Sequence, residues 1–209
     1  MTTSYIPIVD ISPLYTEDSD GWDAVDHAIG TALKEAGAFL ADGIPKPARP
    51  DGAQTATLLD FFNLSQEQRI KVGTSVVNPT SHHRYRGYSA NYGDGWTRHE
   101  MFDIGPAYDV TTPALAEAEQ LIEPNLWPEQ EPTRGWRGEM EQYFDHMHDF
   151  SERLMRSIIR YLGANEDAGA ARFAQSNSTL RLLNYPALPD GVAVEPDRIH
   201  AVSYTHLRA

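Results

Sequence analysis

The chain has 209 residues, a formal net charge of −13, 41% hydrophobic residues and no cysteine. This length and apolar content predict a folded domain, and the acidic balance argues against nucleic acid or an anionic membrane as a partner. The lack of cysteine excludes disulfides and thiolate metal ligands. Since there is also no membrane-length apolar run and no signal-peptide pattern, we expect a cytoplasmic protein.

The amino-terminal part alternates predicted strands and helices. Residues 5–11 alternate in hydropathy and are rich in β-branched side chains, which is typical of a strand. Apolar residues spaced three and four apart predict a helix over residues 22–36, and Gly37 is the expected stop. Residues 38–41 follow as a short buried strand.

The middle of the chain is more polar. Residues 53–63 predict a second helix, and Ser65 followed by Gln68 has the pattern of a capping box at the start of a third. Residues 73–94 are polar and rich in turn residues, and this segment carries an arginine–tyrosine patch. Two further elements are predicted after this segment: a strand over residues 100–105 and a helix over residues 113–122.

The longest predicted element is a helix over residues 136–162. Its apolar residues recur every three or four positions and form one stripe, and Gly163 is the expected stop. A helix of this length spans about 40 Å, so its stripe needs a large partner. We expect a sheet to cover it, with a strand over residues 179–185 as the first piece; a further helix is predicted over residues 165–175.

Two histidine patterns invite a metal-site interpretation. His82 and His83 are adjacent, and adjacent side chains on a strand or loop point apart, which disfavours shared ligation. His148 and Glu152 share a helix face at a spacing that can hold a metal. They lie on the polar side of the helix together with Asp145, which favours a solvated surface instead.

The arginine–tyrosine patch has two interpretations. Arg84 and Arg86 stand among tyrosines, and a pair of guanidinium groups can grip a carboxylate through paired hydrogen bonds. The alternative, surface arginines packed on aromatic rings, fits the same residues. The residues alone therefore leave both interpretations open.

Seven segments, in order, resemble the N-terminal half of the isopenicillin N synthase-like family of non-haem iron oxygenases, most of which use 2-oxoglutarate. These segments are residues 6–11, 35–40, 61–69, 85–89, 100–105, 125–128 and 180–186. The resemblance implies an α+β fold in which the long backbone helix packs on a jelly-roll (double-stranded β-helix) barrel that is incomplete in this chain. It divides the chain into an N-terminal region, residues 1–175, and the first barrel strands, residues 176–209.

The resemblance also implies roles for three residues in binding small molecules. Tyr185 matches the tyrosine whose phenol bonds the distal carboxylate of 2-oxoglutarate in many members. Leu183 stands where the family has an asparagine, so one cosubstrate contact is missing. Arg86 and Tyr88 lie in a turn that the family places over the open end of its pocket, and they are expected to bind a small-molecule substrate.

The family binds Fe(II) through His-x-Asp and a distant histidine. Here His206 stands about where the first ligand belongs, but Arg208 occupies the aspartate position, so neither a metal ligand nor a catalytic residue is assigned. We expect an inactive oxygenase fragment that binds no cofactor, from a parent that uses Fe(II) and 2-oxoglutarate, with residues 203–209 as a non-native tail. The alternative is a non-catalytic scaffold or small-anion-binding domain that uses Arg84 and Arg86.

Overall fold

The computed structural model describes residues 6–16, 19–91, 99–107, 123–171 and 176–187. The helices are α1 (Trp22–Glu35), α2 (Gly52–Leu59), α3 (Gln66–Lys71), α4 (Trp136–Tyr161) and α5 (Glu166–Ala171). The strands are β1 (Ile8–Asp10), β2 (Leu40–Asp42), β3 (Gly87–Asn91), β4 (His99–Ile104) and β5 (Leu180–Asn184). The helix predicted over residues 113–122 and the whole of residues 203–209 lie outside the described ranges.

The chain forms two compact units. The first unit combines residues 1–55 with 138–176, and the second unit combines residues 56–137 with 177–209. The domain division after residue 175, which was drawn from the resemblance, stays a prediction. None of the helices in the described ranges combines the length and the hydropathy that a membrane span requires.

The core of the first unit is aliphatic. β1 and β2 pair in parallel, and side chains from β1, from the turn after it and from α1 form one buried cluster. Phe150, Leu154 and Ile158 of α4 pack against this cluster. The expectation that a sheet beginning at residues 179–185 covers the α4 stripe was therefore wrong for this half of the helix, because the apolar residues of α1 and β1 cover it.

Helices α1 and α4 pack closely at a glycine. A Cβ added at Gly30 would overlap ring atoms of Tyr161, and no side chain fits there without displacing the ring. Nearby, Arg160 of α4 makes two hydrogen bonds to the Asp26 carboxylate, of 2.7 and 2.8 Å. Its guanidinium also lies 4.6 Å from the centre of the Trp22 ring. These contacts hold the two helices together.

The second unit contains an antiparallel sheet in the order β3-β4-β5. β4 and β5 were predicted, but β3 falls inside residues 73–94, a polar and turn-rich segment for which no strand was predicted. The strand contains Gly87, Ser89 and Asn91, residue types that disfavour strands when considered locally. Pairing with β4 along five residues supplies backbone hydrogen bonds, and these stabilise the strand despite its unfavourable local propensity.

One face of this sheet packs on an aromatic cluster. Tyr88 and Phe102 lie opposite each other on β3 and β4, and both are buried. The ring of Phe61 stacks on Phe102 with 4.1 Å between centroids, and the fully buried Trp136 lies 5.8 Å from Phe61. Among the described residues, this face of the sheet is therefore filled by protein side chains.

The predicted starts and ends of the helices are largely confirmed. The Ser65 hydroxyl accepts from the Gln68 backbone N–H at 3.3 Å, and the Gln68 side chain accepts from the Ser65 N–H at 3.0 Å. The predicted helix over residues 53–63 is divided, since α2 ends at Leu59 and a 3₁₀ turn follows over Asp60–Asn63. α4 begins and ends within one residue of its prediction.

Candidate functional site

The open face of the β3-β4-β5 sheet forms one wall of a cavity of about 540 Å³. Four side chains at alternate strand positions line it from the sheet: Ser89, Met101, Asp103 and Arg181. Loop residues complete the lining, among them Thr74, Arg84, Tyr85 and Thr179. The cavity therefore combines two guanidinium groups, one carboxylate and several hydroxyl groups with an apolar wall.

Arg181 and Asp103 form a cross-strand ion pair on this face. The Nε and Nη2 atoms of Arg181 donate to the two carboxylate oxygens of Asp103, each at 2.9 Å. These hydrogen bonds raise the pKa of Arg181, against the opposing effect of desolvation. Asp103 is buried while the Arg181 side chain is 51% exposed. The pair is nearly neutral as a unit, and Arg181 keeps its Nη1 group available to a ligand.

Glu123 fixes the loop that brings Arg84 to the cavity. Its carboxylate accepts hydrogen bonds from three successive backbone N–H groups, those of Arg84, Tyr85 and Arg86, at 2.7, 2.8 and 3.0 Å. The Nδ1 atom of His83 lies 3.7 Å from the same carboxylate. Charge-assisted hydrogen bonds of this kind are strong, so the backbone from Arg84 to Arg86 is held in one conformation and the Arg84 side chain remains exposed.

Arg86 lies elsewhere and is 2% exposed. Its guanidinium donates to the Thr179 hydroxyl at 2.5 Å, to the Asn177 side chain at 2.9 Å and to the Ser178 carbonyl at 3.2 Å. It thus joins the loop before β3 to the segment before β5. Arg84 and Arg86, which the sequence grouped together, have different surroundings in the structure.

Tyr88 belongs to a buried polar network beneath the sheet. Its hydroxyl donates to Glu100 at 2.7 Å, and the Asn184 side chain donates to the other Glu100 oxygen at 2.9 Å. Arg69 of α3 completes the network through an ion pair with Glu100. The network joins α3 to all three strands. A substrate contact by Arg86 or Tyr88 would require either side chain to leave these partners, and that role stays a prediction.

Tyr185 immediately follows β5 and is 66% exposed. Its ring lies 6.4 Å from that of His99, which begins β4. By strand alternation, Arg181 and Tyr185 occupy the same side of β5. Sequence reasoning singled out Tyr185, whose role stays a prediction, and did not single out Arg181 or Asp103, which line the cavity. The signal was present in the alternation of two strands, but their register was needed to show that these opposite charges lie across from each other.

A family model described as "non-haem dioxygenase in morphine synthesis N-terminal" matches residues 6–130, which is more than half of the 209-residue chain. The chain belongs to the 2-oxoglutarate/Fe(II)-dependent oxygenase family. The resemblance on which the sequence prediction rested is therefore confirmed, and so is the α+β fold of that family's N-terminal part.

Two curated members of the oxygenase family illustrate the range of similarity. Isopenicillin N synthase from Streptomyces griseus is 25% identical over 197 residues, covering 91% of this chain and 58% of the relative. Homoarginine-6-hydroxylase from Glycine max is 30% identical over 200 residues, covering 88% of this chain and 57% of the relative. The chain thus spans less than two thirds of the length of the curated oxygenases that it matches.

Two solved structures of one protein from Neurospora crassa agree with the fold. Its C-terminally truncated apo form superposes with a TM-score of 0.67 at 28% identity, over 88% of this chain and 63% of that one. The full-length Neurospora crassa protein in complex with alpha-KG and thymine gives a TM-score of 0.64 at 26% identity, over 87% of this chain and 55% of that one.

Histidine and carboxylate side chains are dispersed in the described part of the chain. No three histidine or carboxylate side chains among the described residues lie together as a metal site requires. His82 is exposed, His83 lies beside Glu123, and His148 lies near Phe144 on α4. His206 and Arg208 lie outside the described ranges.

Proposed function

We propose that this chain is the N-terminal portion of a non-haem Fe(II) oxygenase that oxidises a small organic substrate with O2 and 2-oxoglutarate, and that the 209-residue chain alone does not turn over. Family membership supports the reaction class. The observation that supports a substrate site is the cavity on the open face of the sheet, which Arg84, Asp103 and Arg181 line. A volume of about 540 Å³ suits a small molecule.

The ligands of the relatives support a small polar substrate. The Neurospora crassa protein has been solved with alpha-KG together with thymine or with 5-formyluracil, and the Glycine max relative is named for homoarginine. Each of these molecules would fit in a cavity of this size. We propose the same class of partner for the complete oxygenase and assign no nucleic-acid or membrane partner.

Tyr185 is the residue we assign to 2-oxoglutarate. Its phenol is exposed on the cavity side of β5, so it can donate to a carboxylate without first leaving a buried site. Bound 2-oxoglutarate supplies electrons for the reduction of O2 through its own oxidative decarboxylation. Arg86 and Tyr88 are retained as proposed substrate residues, although their present partners are protein groups.

The described residues do not provide a set of side chains that could bind iron. We therefore assign no residue of this chain to iron and no step to it. The role of the described residues in the reaction is to bind and orient: Glu123 holds the loop of Arg84, and Asp103 holds the guanidinium of Arg181.

The test starts from the genomic sequence that follows codon 200. The extended protein and the 209-residue chain are both titrated anaerobically with Fe(II) and assayed for 2-oxoglutarate consumption. We expect a stoichiometric iron site tighter than about 10 μM only in the extended protein, since one histidine cannot supply the roughly 7 kcal/mol that this affinity represents. Turnover by the 209-residue chain would contradict its proposed inactivity. A native stop codon after Ala209 would favour the scaffold or anion-binding alternative.

Tyr185→Phe in the extended protein tests the cosubstrate assignment. Loss of one hydrogen bond to a charged carboxylate costs roughly 1.5–3 kcal/mol, so the apparent 2-oxoglutarate constant should rise about 10- to 150-fold. Tyr143→Phe is the matched control, because Tyr143 lies on α4 in the first unit. If the constant stays within about twofold for Tyr185→Phe, the assignment of this residue is wrong.

A further inference from the structure

The cavity on the open sheet face is a local positive site in an acidic protein. Its lining contains two arginines and one carboxylate, in a chain whose formal net charge is −13. Asp103 neutralises one of the arginines through its paired hydrogen bonds. The cavity lining therefore keeps one net positive charge, contributed by Arg84, which complements a ligand with one negative charge.

Arg84 and Arg181 both have donor groups that the described protein leaves unused. Asp103 occupies the Nε and Nη2 atoms of Arg181, so its Nη1 group, with two N–H donors, has no recorded partner among the described residues. The backbone N–H of Arg84 is bound by Glu123, while its guanidinium makes no recorded contact within the described ranges. Two guanidinium groups that line one cavity are a recurrent way to bind a carboxylate.

Thr74 provides an independent indication of a ligand. The residue lines the cavity and is 3% exposed. Its Oγ1 atom is buried without a hydrogen-bond partner among the described residues. An unsatisfied buried hydroxyl costs about 1–3 kcal/mol, so buried hydroxyl groups in native structures usually have a hydrogen-bond partner. A ligand oxygen in the cavity would supply the missing partner.

We propose that this cavity binds the carboxylate group of the organic substrate, with Arg84 and Arg181 as its charged partners and Thr74 as a hydroxyl partner. The proposal rests on the proposed oxygenase function, because it identifies the substrate of that reaction as a small monocarboxylate. It also replaces the pairing of Arg84 with Arg86 that the sequence suggested. Arg181 shares the cavity with Arg84, whereas Arg86 is buried against Asn177 and Thr179.

The apolar part of the lining indicates what surrounds the carboxylate. Met101 and Val76 contribute aliphatic surface, and Tyr85 contributes a ring. Phenylacetate and hexanoate are suitable probes because each joins one carboxylate to an apolar body. Their primary amides, phenylacetamide and hexanamide, have nearly the same shape without the charge, so the difference in binding between acid and amide measures the contribution of the two guanidinium groups.

The experiment uses ligand-observed NMR titration of the 209-residue chain at pH 7, without iron. We expect both carboxylates to bind at least tenfold more tightly than their amides. Arg84→Gln and Arg181→Gln should each weaken carboxylate binding about 10- to 150-fold, the effect of losing one charge-assisted hydrogen bond. Thr74→Val should weaken it severalfold. Arg137→Gln is the control, since Arg137 packs over Trp127 outside the cavity lining and should leave binding unchanged.

Arg84→Gln is the deciding variant, because the Arg84 side chain is exposed and its loss should leave the far-UV circular dichroism unchanged. Equal binding of acid and amide, absence of binding by both carboxylates, or full binding by a folded Arg84→Gln protein would each overturn the proposal. These results require no turnover, so they are independent of the oxygenase test.

A second arm separates the substrate from the cosubstrate, which also carries carboxylates. 2-Oxoglutarate is titrated into the complex with phenylacetate. We expect phenylacetate to stay bound, because the two ligands should use different groups. Displacement of phenylacetate by 2-oxoglutarate in a manner that depends on Arg84 would overturn the assignment to the substrate and give the site to the cosubstrate.

Discussion

The first and second units each contain an arginine that grips an aspartate through two hydrogen bonds, but the two pairs have different surroundings. In the first unit, Arg160 reaches Asp26 at 2.7 and 2.8 Å, and the two side chains are 20% and 6% exposed. In the second unit, Arg181 reaches Asp103 at 2.9 Å twice, and the Arg181 side chain is 51% exposed. The geometry is nearly the same and both aspartates are buried, but the two arginines differ in exposure.

The partners around each pair explain this difference. Arg160 is also bonded to Glu166 at 3.2 Å and lies over the ring of Trp22, so its guanidinium is fully used within the protein. Arg181 faces a cavity and keeps donors that no described residue uses. The comparison shows that the guanidinium of Arg160 is used wholly within the protein, while that of Arg181 keeps donors that a ligand can use. Substitutions in each unit can test this distinction.

The largest loss of stability is expected for a substitution in the aromatic cluster that packs on the β3-β4-β5 sheet. Trp136 is fully buried against Phe61 and Phe102, so Trp136→Ala should lower the free energy of unfolding by about 3–5 kcal/mol. Urea denaturation followed by circular dichroism measures this loss. Trp127→Ala should cost less, because Trp127 is only half-buried. Equal losses for the two variants would show that the sheet is not supported mainly by the buried cluster.

The two arginine–aspartate pairs should differ in their contribution to stability. Arg160→Gln leaves the buried Asp26 charge without its partner and should cost about 2–3 kcal/mol in urea denaturation. Arg181→Gln also leaves a buried carboxylate, that of Asp103, but it should cost less because solvent screens the half-exposed guanidinium that is removed. A loss for Arg181→Gln as large as that for Arg160→Gln would contradict the view that the second pair serves a ligand rather than stability.

The packing of the first unit is tested by two glycines that lie in helices. At Gly30 of α1 a Cβ would collide with Tyr161, whereas at Gly138 of α4 it would meet nothing within 4 Å. Gly30→Ala should therefore destabilise the protein by about 1–2 kcal/mol despite the better helix propensity of alanine. Gly138→Ala should stabilise it by up to about 1 kcal/mol. Thermal unfolding should separate the two variants in opposite directions.

The smallest effect concerns alkaline stability in the first unit. Desolvation and the nearby Asp149 charge raise the pKa of Tyr15, against the attraction of Arg153. A raised pKa in the folded state stabilises the fold below the unfolded pKa of about 10, and this contribution is lost as pH rises through the folded pKa. The free energy of unfolding of the Tyr15→Phe variant should therefore fall less steeply as the pH rises above about 10. Chemical denaturation at several pH values measures this dependence. An unchanged pH profile would contradict the assignment to Tyr15.

Local sequence signals were sufficient for helices α1, α3 and α4. The spacing of apolar residues located α1 and α4, and the Ser65–Gln68 pattern located the start of α3. These features depend on contacts within a few residues of each other, so the chain encodes them without knowledge of the fold. The family resemblance was also readable in the sequence, because its seven segments occur in order.

The sheet and the site depended on long-range pairing. β3 contains residue types that favour turns, and it becomes a strand because β4 pairs with it. Arg181 and Asp103 are 78 positions apart in sequence, and only the register of β4 with β5 places them opposite each other. The neighbouring Arg84 and Arg86 are equivalent in sequence pattern, yet one lines the cavity and the other is buried. The sequence determined which residues have the chemistry to bind an anion, and the tertiary structure decided which of them share a cavity, because strand register is a property of contacts between distant segments.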